Sequence, residues 1–367
     1  MTVTLHEGDN RLVLRKLIDQ GVRVHSVVTD PPYGLVSIQK RFGKNTAKAA
    51  RTEKNDGSFA RLSGGFMGKA WDGSGIERDP EFWKLIHDIL LPGGYVFAFS
   101  GSRTGHWQAC AMETAGFIMH PMHGWVYGSG FPKAHAADRS PETANWEGWG
   151  YGTQAQKPAL EPIYLGQRPF SEKTGVANLL KHGVGAVNID GCRVPSEGGR
   201  QREGEASQDR RYSDKGATNF AAKPGPRGGD PDGRHPSNLL LDGSDEVVAM
   251  FPVKAGSAAR FFHHFPPDTP PVIYNGKAGK LDRDGSKHPT VKPIALMQYL
   301  VRHITPKGGT VLDPFAGTGT TGLAAEREGL DAILIELEPE YAEGIRTRLA
   351  GGPVSATAYL SALGIMR

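Results

Sequence analysis

The sequence predicts an α/β fold on a largely parallel sheet. Three observations predict it. Apolar, strand-like runs end in tight turn motifs at two distant places in the chain. Segments with strand and helix patterns alternate through the first half. A glycine-rich turn of the nucleotide-binding kind stands near the end of the chain, so most strands of its sheet must come from upstream. Alternation of this kind builds parallel sheets covered by helices.

Residues 11–20 carry Leu12, Val13, Leu14, Leu17 and Ile18 at helical spacing and lead into an apolar strand over 24–29. That strand runs into Asp30-Pro31-Pro32-Tyr33-Gly34, which puts a carboxylate and an aromatic ring at a strand end. The two prolines fix φ and remove two N–H donors, leaving carbonyls that can only accept. An acceptor carboxylate, an acceptor carbonyl and a flat ring suit a planar group bearing an NH2, such as a nucleobase with an exocyclic amine.

Residues 36–70 show no periodicity. Lys40, Arg41, Lys44, Lys48, Arg51, Lys54, Arg61 and Lys69 face only Glu53 and Asp56 there, a net +6 in a chain whose total is +4. Glycines 57, 64, 65 and 68 make it a flexible loop. A solvated surface insertion is one reading. The favoured one, because the loop hangs beside Tyr33, is a basic arm that grips phosphates, each contact releasing counterions.

A helix follows over 80–91, with Phe82, Trp83, Leu85, Ile86, Ile89 and Leu90 on one face, stopped by Pro92-Gly93-Gly94. A buried strand over 95–100, a helix over 104–115, a strand or hairpin over 117–127 and a strand over 159–166 complete this half. Residues 171–287 change character, with frequent Gly and Pro, interleaved charges and weak periodicity. Apolar islands remain at 186–189, 238–241, 247–251 and 272–274. A structureless loop of that length inside a compact domain is improbable, so a small inserted module with exposed loops is expected. An amphipathic helix over 293–304 and a closing helix over 338–349 flank the final motif.

That motif is Thr310-Val311-Leu312-Asp313-Pro314-Phe315-Ala316-Gly317-Thr318-Gly319-Thr320-Thr321. A strand enters a glycine turn and a helix starts near Thr320, with Gly317 and Gly319 letting the backbone approach a ligand. Gly317-x-Gly319-x-x-Gly322 matches the dinucleotide fingerprint, a weak signal alone, and no Lys-Ser/Thr follows to make a P-loop. A second strand, Ala332-Ile333-Leu334-Ile335, ends in Glu336, placed to hydrogen-bond ribose hydroxyls. The turn therefore suits a nucleoside-containing cofactor.

The pair Asp-Pro-Pro-Tyr and Asp-Pro-Phe-x-Gly-x-Gly-Thr-Thr, in this order, resembles the β group of DNA amino-methyltransferases of phage and bacterial type, over residues 1–35, 80–170 and 286–350. The resemblance implies a Rossmann-like seven-stranded sheet with circularly permuted motifs, S-adenosylmethionine as cofactor and double-stranded DNA as partner. It implies a catalytic set of Asp30, Pro31, Pro32 and Tyr33 that holds the target base. It implies a cofactor site built from Asp313, Pro314, Phe315, Ala316, Gly317, Thr318, Gly319, Thr320 and Thr321, with Asp30 beside them. Glu336 would hold the ribose and Asp9 lie near the adenine, while Thr290 and Lys292 of His288-Pro289-Thr290-Val291-Lys292-Pro293 would meet the cofactor's carboxylate. Lys40, Arg41, Lys44, Lys48 and Arg51, with Arg210 and Arg211 of the insertion, would contact DNA. The implied division is a catalytic half over 1–170, a target-recognition region over 171–287, a cofactor half over 288–350 and a tail over 351–367. Family members are often dimers and often belong to restriction-modification systems.

Composition agrees. The 367 residues suffice for one large core and an added module, and a sequence pI near 8.9 mildly favours a polyanionic partner. Cys110 and Cys192 are far apart, without metal spacing, and are expected to be packing residues in a reducing compartment. No apolar run approaches a membrane span, and the first residues lack the regions of a secretion signal, so a cytoplasmic protein is expected. Metal chemistry is not expected, since His263 and His264 are adjacent and the other histidines look scattered over surface and loops.

The implied reaction moves a methyl group to an exocyclic amine of a flipped base. An Asp at the head of the motif goes mostly with adenine N6 and a Ser with cytosine N4, so Asp30 favours adenine, and cytosine stays open. Trp125 is either a pocket wall or plain core. An RNA or protein-amide methyltransferase, a nicotinamide oxidoreductase and an inactive DNA-binding protein are the rival readings. The second leaves Asp-Pro-Pro-Tyr unexplained, and the third would be expected to have lost Asp30 or the glycines.

Overall fold

A computed structural model describes residues 1–34, 74–128, 130, 132, 134–152, 155–195, 233–252, 258–265 and 291–351. Strand β1 (Val3–Glu7) ends at Gly8, and Asp9 caps helix α1 (Asn10–Asp19) by accepting from the backbone N–H groups of Arg11 and Leu12. Strand β2 (Val24–Thr29) delivers the chain to Asp30. Asp79 caps α2 (Pro80–Ile89) through the N–H of Glu81, with Pro80 in the first turn where its missing donor costs nothing. Strand β3 (Leu90–Phe99), α3 (Gly105–Thr114), β4 (Ile118–Met119) and β5 (His123–Val126) follow. A hairpin of β6 (His135–Ala136) and β7 (Gly150–Tyr151) precedes β8 (Leu160–Gln167).

Helix α4 (Gly175–His182), β9 (Leu239–Leu241), α5 (Asp245–Val248) and β10 (His263–His264) come next. The chain then forms α6 (Ile294–Ile304), β11 (Thr310–Asp313), α7 (Thr320–Arg327), β12 (Asp331–Glu336) and α8 (Pro339–Ala350). No helix of the described residues is long and apolar enough to cross a membrane.

One sheet runs in the order β1-β12-β11-β2-β3-β8-β5-β9-β10, with β4 attached to β8. It is parallel from β1 to β3, and β8 is antiparallel to both β3 and β5. Side chains of a strand alternate between faces, and the core divides accordingly. Val27, Val96, Ala98 and Leu312 pack with Leu14, Phe82, Trp83 and Met112 on one side. Val28, Phe97, Phe99 and Val311 pack with Leu300, Ile304 and Ala324 on the other. The sheet is thus covered on both faces, as the sequence predicts.

Several expectations need correction. The sheet has ten strands among the described residues, not seven. The extra ones include β4, β9 and β10, too short to show any period. Residues 3–7, not anticipated as a strand, pair in parallel with β12, so the front of the chain forms the sheet edge beside the last strand. Pro92-Gly93-Gly94 does not separate a helix from a strand but lies inside β3. There the Gly93 N–H donates to the Arg168 carbonyl and the Arg168 N–H to Gly94, beside a register shift opposite Val24 and Ser26.

The described parts of 171–287 also join the main body. Buried Asn178 of α4 donates to the Pro92 and Val184 carbonyls, and β9 runs parallel to β5. Islands 186–189 and 238–241 therefore belong to the central core and sheet, whereas 247–251 seeds a small satellite cluster with Leu241 and Ala259. Island 272–274 lies outside the described residues. Trp125 is fully buried core. His263 is not a loop residue: it packs on Tyr299, which also meets His303, and His303 faces His123. Burial pushes His123 and His303 down to about 4, so both are neutral packing groups at pH 7. Cys192 is buried as expected, but Cys110 is exposed.

Candidate active site

The two turn motifs, far apart in sequence, lie side by side because β2 and β11 are neighbours in parallel register, with Val311 opposite Ser26 and Leu312 opposite Val27. Thr29, the last residue of β2, donates its hydroxyl to Asp313 Oδ1 at 2.7 Å and ties the turns together. Ligands of open parallel sheets bind at such carboxyl ends.

Tyr33 donates its hydroxyl to Asp30 Oδ1 at 2.9 Å, and its backbone carbonyl accepts from Thr104 Oγ1 at 2.7 Å. Thr104, just before α3, thus fixes the turn from the neighbouring strand–helix unit. The next residue, Gly34, has φ +54°, and a Cβ there would lie 1.9 Å from Glu77 Oε1, so only glycine fits. Burial and the Asp30 and Glu161 charges hold the Tyr33 phenol well above its usual range.

Lys292 enters this pocket. Its ammonium pairs with Asp30 Oδ2, lies 3.3 Å from the Tyr33 hydroxyl and 3.8 Å from Glu161 Oε2, and sits over the Phe99 ring. The resemblance implies that Lys292 meets the cofactor's carboxylate; in the structure its ammonium pairs with Asp30.

The glycine turn is held mainly from beneath. Asp313, 3 % exposed, accepts from Thr29, from Thr321 Oγ1 at 2.5 Å and from the Phe315 N–H at 3.1 Å. Burial nevertheless pushes its carboxyl up to about 6. Thr318 and Thr320 bond each other, and buried Arg348 of α8 donates to the Thr318 carbonyl. Asn10 donates to the Pro314 carbonyl, and Phe315 leans on Phe82. Of the run 313–321, Phe315 and Gly317 alone are partly exposed, and the other seven are buried. Glu336 accepts from the N–H groups of Gly317 and Glu338, both at 2.8 Å, and burial pushes it up to about 7. Asp9 is exposed beyond the end of β1, with its carboxylate engaged in the α1 cap.

These residues fit S-adenosylmethionine. Gly317 and Gly319 turn with positive φ, and α7 begins with no side-chain cap over its first amides. The carboxylates of Asp30 and Glu336 stand at the ends of β2 and β12, which flank β11, and Asp313 between them is turned into the protein. Thr290 and all seven DNA-contact candidates, Lys40, Arg41, Lys44, Lys48, Arg51, Arg210 and Arg211, lie outside the described residues. Thr104, Glu161 and Arg348 were missed by sequence reasoning, because nothing local marks a single residue brought in from a remote element. Among the described residues no group of three or more His, Cys, Asp or Glu is arranged to hold a metal ion.

The Glu336 geometry carries a prediction. The resemblance implies that Glu336 accepts from ribose hydroxyls, a role that a carboxyl fills best when ionised, and burial pushes this carboxyl up to about 7. Affinity for S-adenosylmethionine should therefore fall as pH drops through 7, by up to about tenfold between pH 8 and 6. Glu336→Gln should bind more weakly at pH 8 and lose most of that dependence, as read by calorimetry.

Comparison with known proteins gives a concordant result. The sequence model of the DNA methylase family (N6_N4_Mtase) matches residues 24–347. The type II methyltransferase M.HindIII of Haemophilus influenzae is 24 % identical over 340 residues, spanning 88 % of this chain and 87 % of that protein. The type II methyltransferase M2.DpnII of Streptococcus pneumoniae is 43 % identical over 70 residues, 19 % of this chain and 26 % of that protein. Among solved structures, the PvuII DNA methyltransferase (cytosine-N4-specific) overlays with a TM-score of 0.47 at 16 % identity, covering 98 % of this chain and 91 % of that one. With the family match running across both turn motifs, the chain belongs to the DNA methylase family, the S-adenosylmethionine-dependent amino-methyltransferases of adenine N6 and cytosine N4.

Proposed function

We propose that this protein methylates the N6 amine of adenine in double-stranded DNA. The observation that carries the choice of base is the aspartate at the head of the Asp30-Pro31-Pro32-Tyr33 turn, where cytosine enzymes of the family mostly have serine. The amine geometry of the two bases is the same, so cytosine N4 is the second reading.

When bound, S-adenosylmethionine supplies a methyl group on a sulfonium. The target nitrogen is a poor nucleophile because its lone pair is conjugated into the ring. The Asp30 carboxylate and the Pro31 carbonyl accept its two hydrogens and favour a tetrahedral nitrogen with its lone pair free. Pro32 stiffens the turn, and Tyr33 stacks on the base with its hydroxyl anchored on Asp30. Holding nitrogen and methyl in line is where most of the rate advantage arises. Glu336 takes the ribose, the partly exposed Gly317 and Phe315 face the methionine end, and Asp313 with the buried threonines keeps that turn in shape. A base inside a duplex cannot reach the pocket, so it must flip out, at a cost of a few kcal/mol that stacking and phosphate contacts offset.

Target recognition is assigned to residues 171–287, with Arg210 and Arg211 as candidate contacts, and phosphate gripping to the 36–70 segment. Neutralising Lys40, Arg41 and Lys44 together should weaken DNA binding and reduce the slope of log affinity against log salt by up to about 3. An unchanged slope would make the segment a plain surface insertion. The base itself is tested by expressing the protein, digesting cellular DNA and separating the nucleosides. N6-methyladenine is the expected product, and N4-methylcytosine alone would replace the first reading by the second.

A further inference from the structure

The base pocket contains a carboxylate that the methyl-transfer reading does not use. Glu161, on β8, is only 6 % exposed at its side chain, as is Lys292, and its Oε2 lies 3.8 Å from the Lys292 ammonium. Lys292 is at the same time paired with Asp30, whose side chain is 19 % exposed. Two carboxylates therefore surround one ammonium at the pocket floor, a cluster with a formal charge of −1. The charge of Glu161 is felt widely there, since it raises both the Tyr33 and the Tyr127 phenols while Lys292 acts oppositely on Tyr127.

Such a cluster has a consequence for the amine. With Glu161 absent, Asp30 and Lys292 would form a neutral pair, and the carboxylate meant for the target amine would be occupied by a stronger donor. With Glu161 present, the ammonium has two acceptors and can be shared. We propose that Glu161 is a positioning residue for methyl transfer: it draws Lys292 from Asp30 when the base enters, and it leaves the pocket one negative charge in excess.

That excess faces the charge the reaction creates. As the amine nitrogen bonds the methyl carbon, the carbon–sulfur bond breaks with its electron pair on sulfur, and the nitrogen becomes positive. It then returns to neutrality by losing one N–H proton to Asp30, the N–H pair staying on nitrogen. A −1 pocket stabilises that cation in a site of low dielectric, where preorganised charge has its largest effect. The inference rests on the methyl-transfer reading above and adds a residue to it.

The test measures single-turnover methyl transfer to DNA by the full chain, with S-adenosylmethionine binding as the control for folding. Glu161→Gln should slow transfer by about ten- to a hundredfold with cofactor binding intact. The double variant Glu161→Gln, Lys292→Met restores the −1 charge by removing the competing ammonium, and it should be faster than Glu161→Gln alone. A merely structural Glu161 would make the double variant no faster. Charge is also compared at constant length, with Glu161→Asp expected to outpace Glu161→Asn, so that failure of one pair to fold leaves the other. Equal rates within a pair, or no recovery in the double variant, overturn the proposal. An inactive Asp30→Ala with a fully active Glu161→Gln would sink this inference alone, whereas a fully active Asp30→Ala would sink the reading beneath it.

Discussion

Asp30→Ala should reduce single-turnover methyl transfer by about 10²- to 10³-fold, the scale found when one preorganised electrostatic partner is removed from a closed active site. Binding of S-adenosylmethionine should stay near wild type. The reason lies in how the two turns are held. The glycine turn depends on Asp313, Arg348 and Asn10, and none of these bonds involves Asp30. The alanine variant loses acceptors for the Tyr33 hydroxyl and the Lys292 ammonium, but Lys292 keeps Glu161 within pairing distance. The fold therefore survives while the amine loses its acceptor. Asp30→Asn is expected to be nearly as slow, because its amide turns an NH2 toward a site that needs only acceptors. The measurement is methyl incorporation into DNA with enzyme in excess. Full activity of the alanine variant would remove the carboxylate from the mechanism.

The contrast between the two turns explains what the sequence could reveal. Asp30 through Tyr33 and Asp313 through Thr321 were legible because each turn is local, its side chains and its glycine or proline punctuation being fixed within a dozen residues. The helices over 11–20, 80–91 and 293–304 were legible for the same reason, their apolar faces repeating over several turns. Three kinds of feature were not. Val3 and Leu5 of β1 are too few to mark a strand, and its partner β12 lies at the other end of the chain. Strands β9 and β10, of three and two residues, have no period at all, so the sheet's extension beyond β5 looked like a separate module. Glu161 and Thr104 enter the site across β8 and the turn before α3, by pairings that no local pattern encodes. Lys292 shows the limit most sharply, since its charge was evident but its pairing with Asp30, 262 positions away, is made by tertiary packing.

Asp313 is where sequence and structure assign different duties, and a pair of substitutions separates them. Its two oxygens serve three donors inside the protein, so Asp313→Ala leaves the Thr29 and Thr321 hydroxyls and the Phe315 N–H without their acceptor. A loss of about 3 kcal/mol in urea unfolding is expected, the scale of a broken buried network. Asp313→Asn should cost far less, because the amide oxygen can keep Thr29 and Phe315 while the amide N–H turns to the Thr321 oxygen. The pH dependence fixes the sign. The carboxyl is raised from 3.8 to about 6 in the fold, so its protonation stabilises the native state below about pH 4, and that contribution is lost as pH rises through 6. Relative to Asp313→Asn, the wild type should therefore gain stability, on the order of 2–3 kcal/mol, between pH 7.5 and 4. His123 and His303 titrate alike in both proteins and cancel in the difference, whereas Glu336, whose carboxyl the Asp313 charge helps to raise, loses that contribution in the asparagine variant. If Asp313→Ala instead unfolded like wild type but lost S-adenosylmethionine binding, the residue would be a ligand contact and not the anchor of the turn.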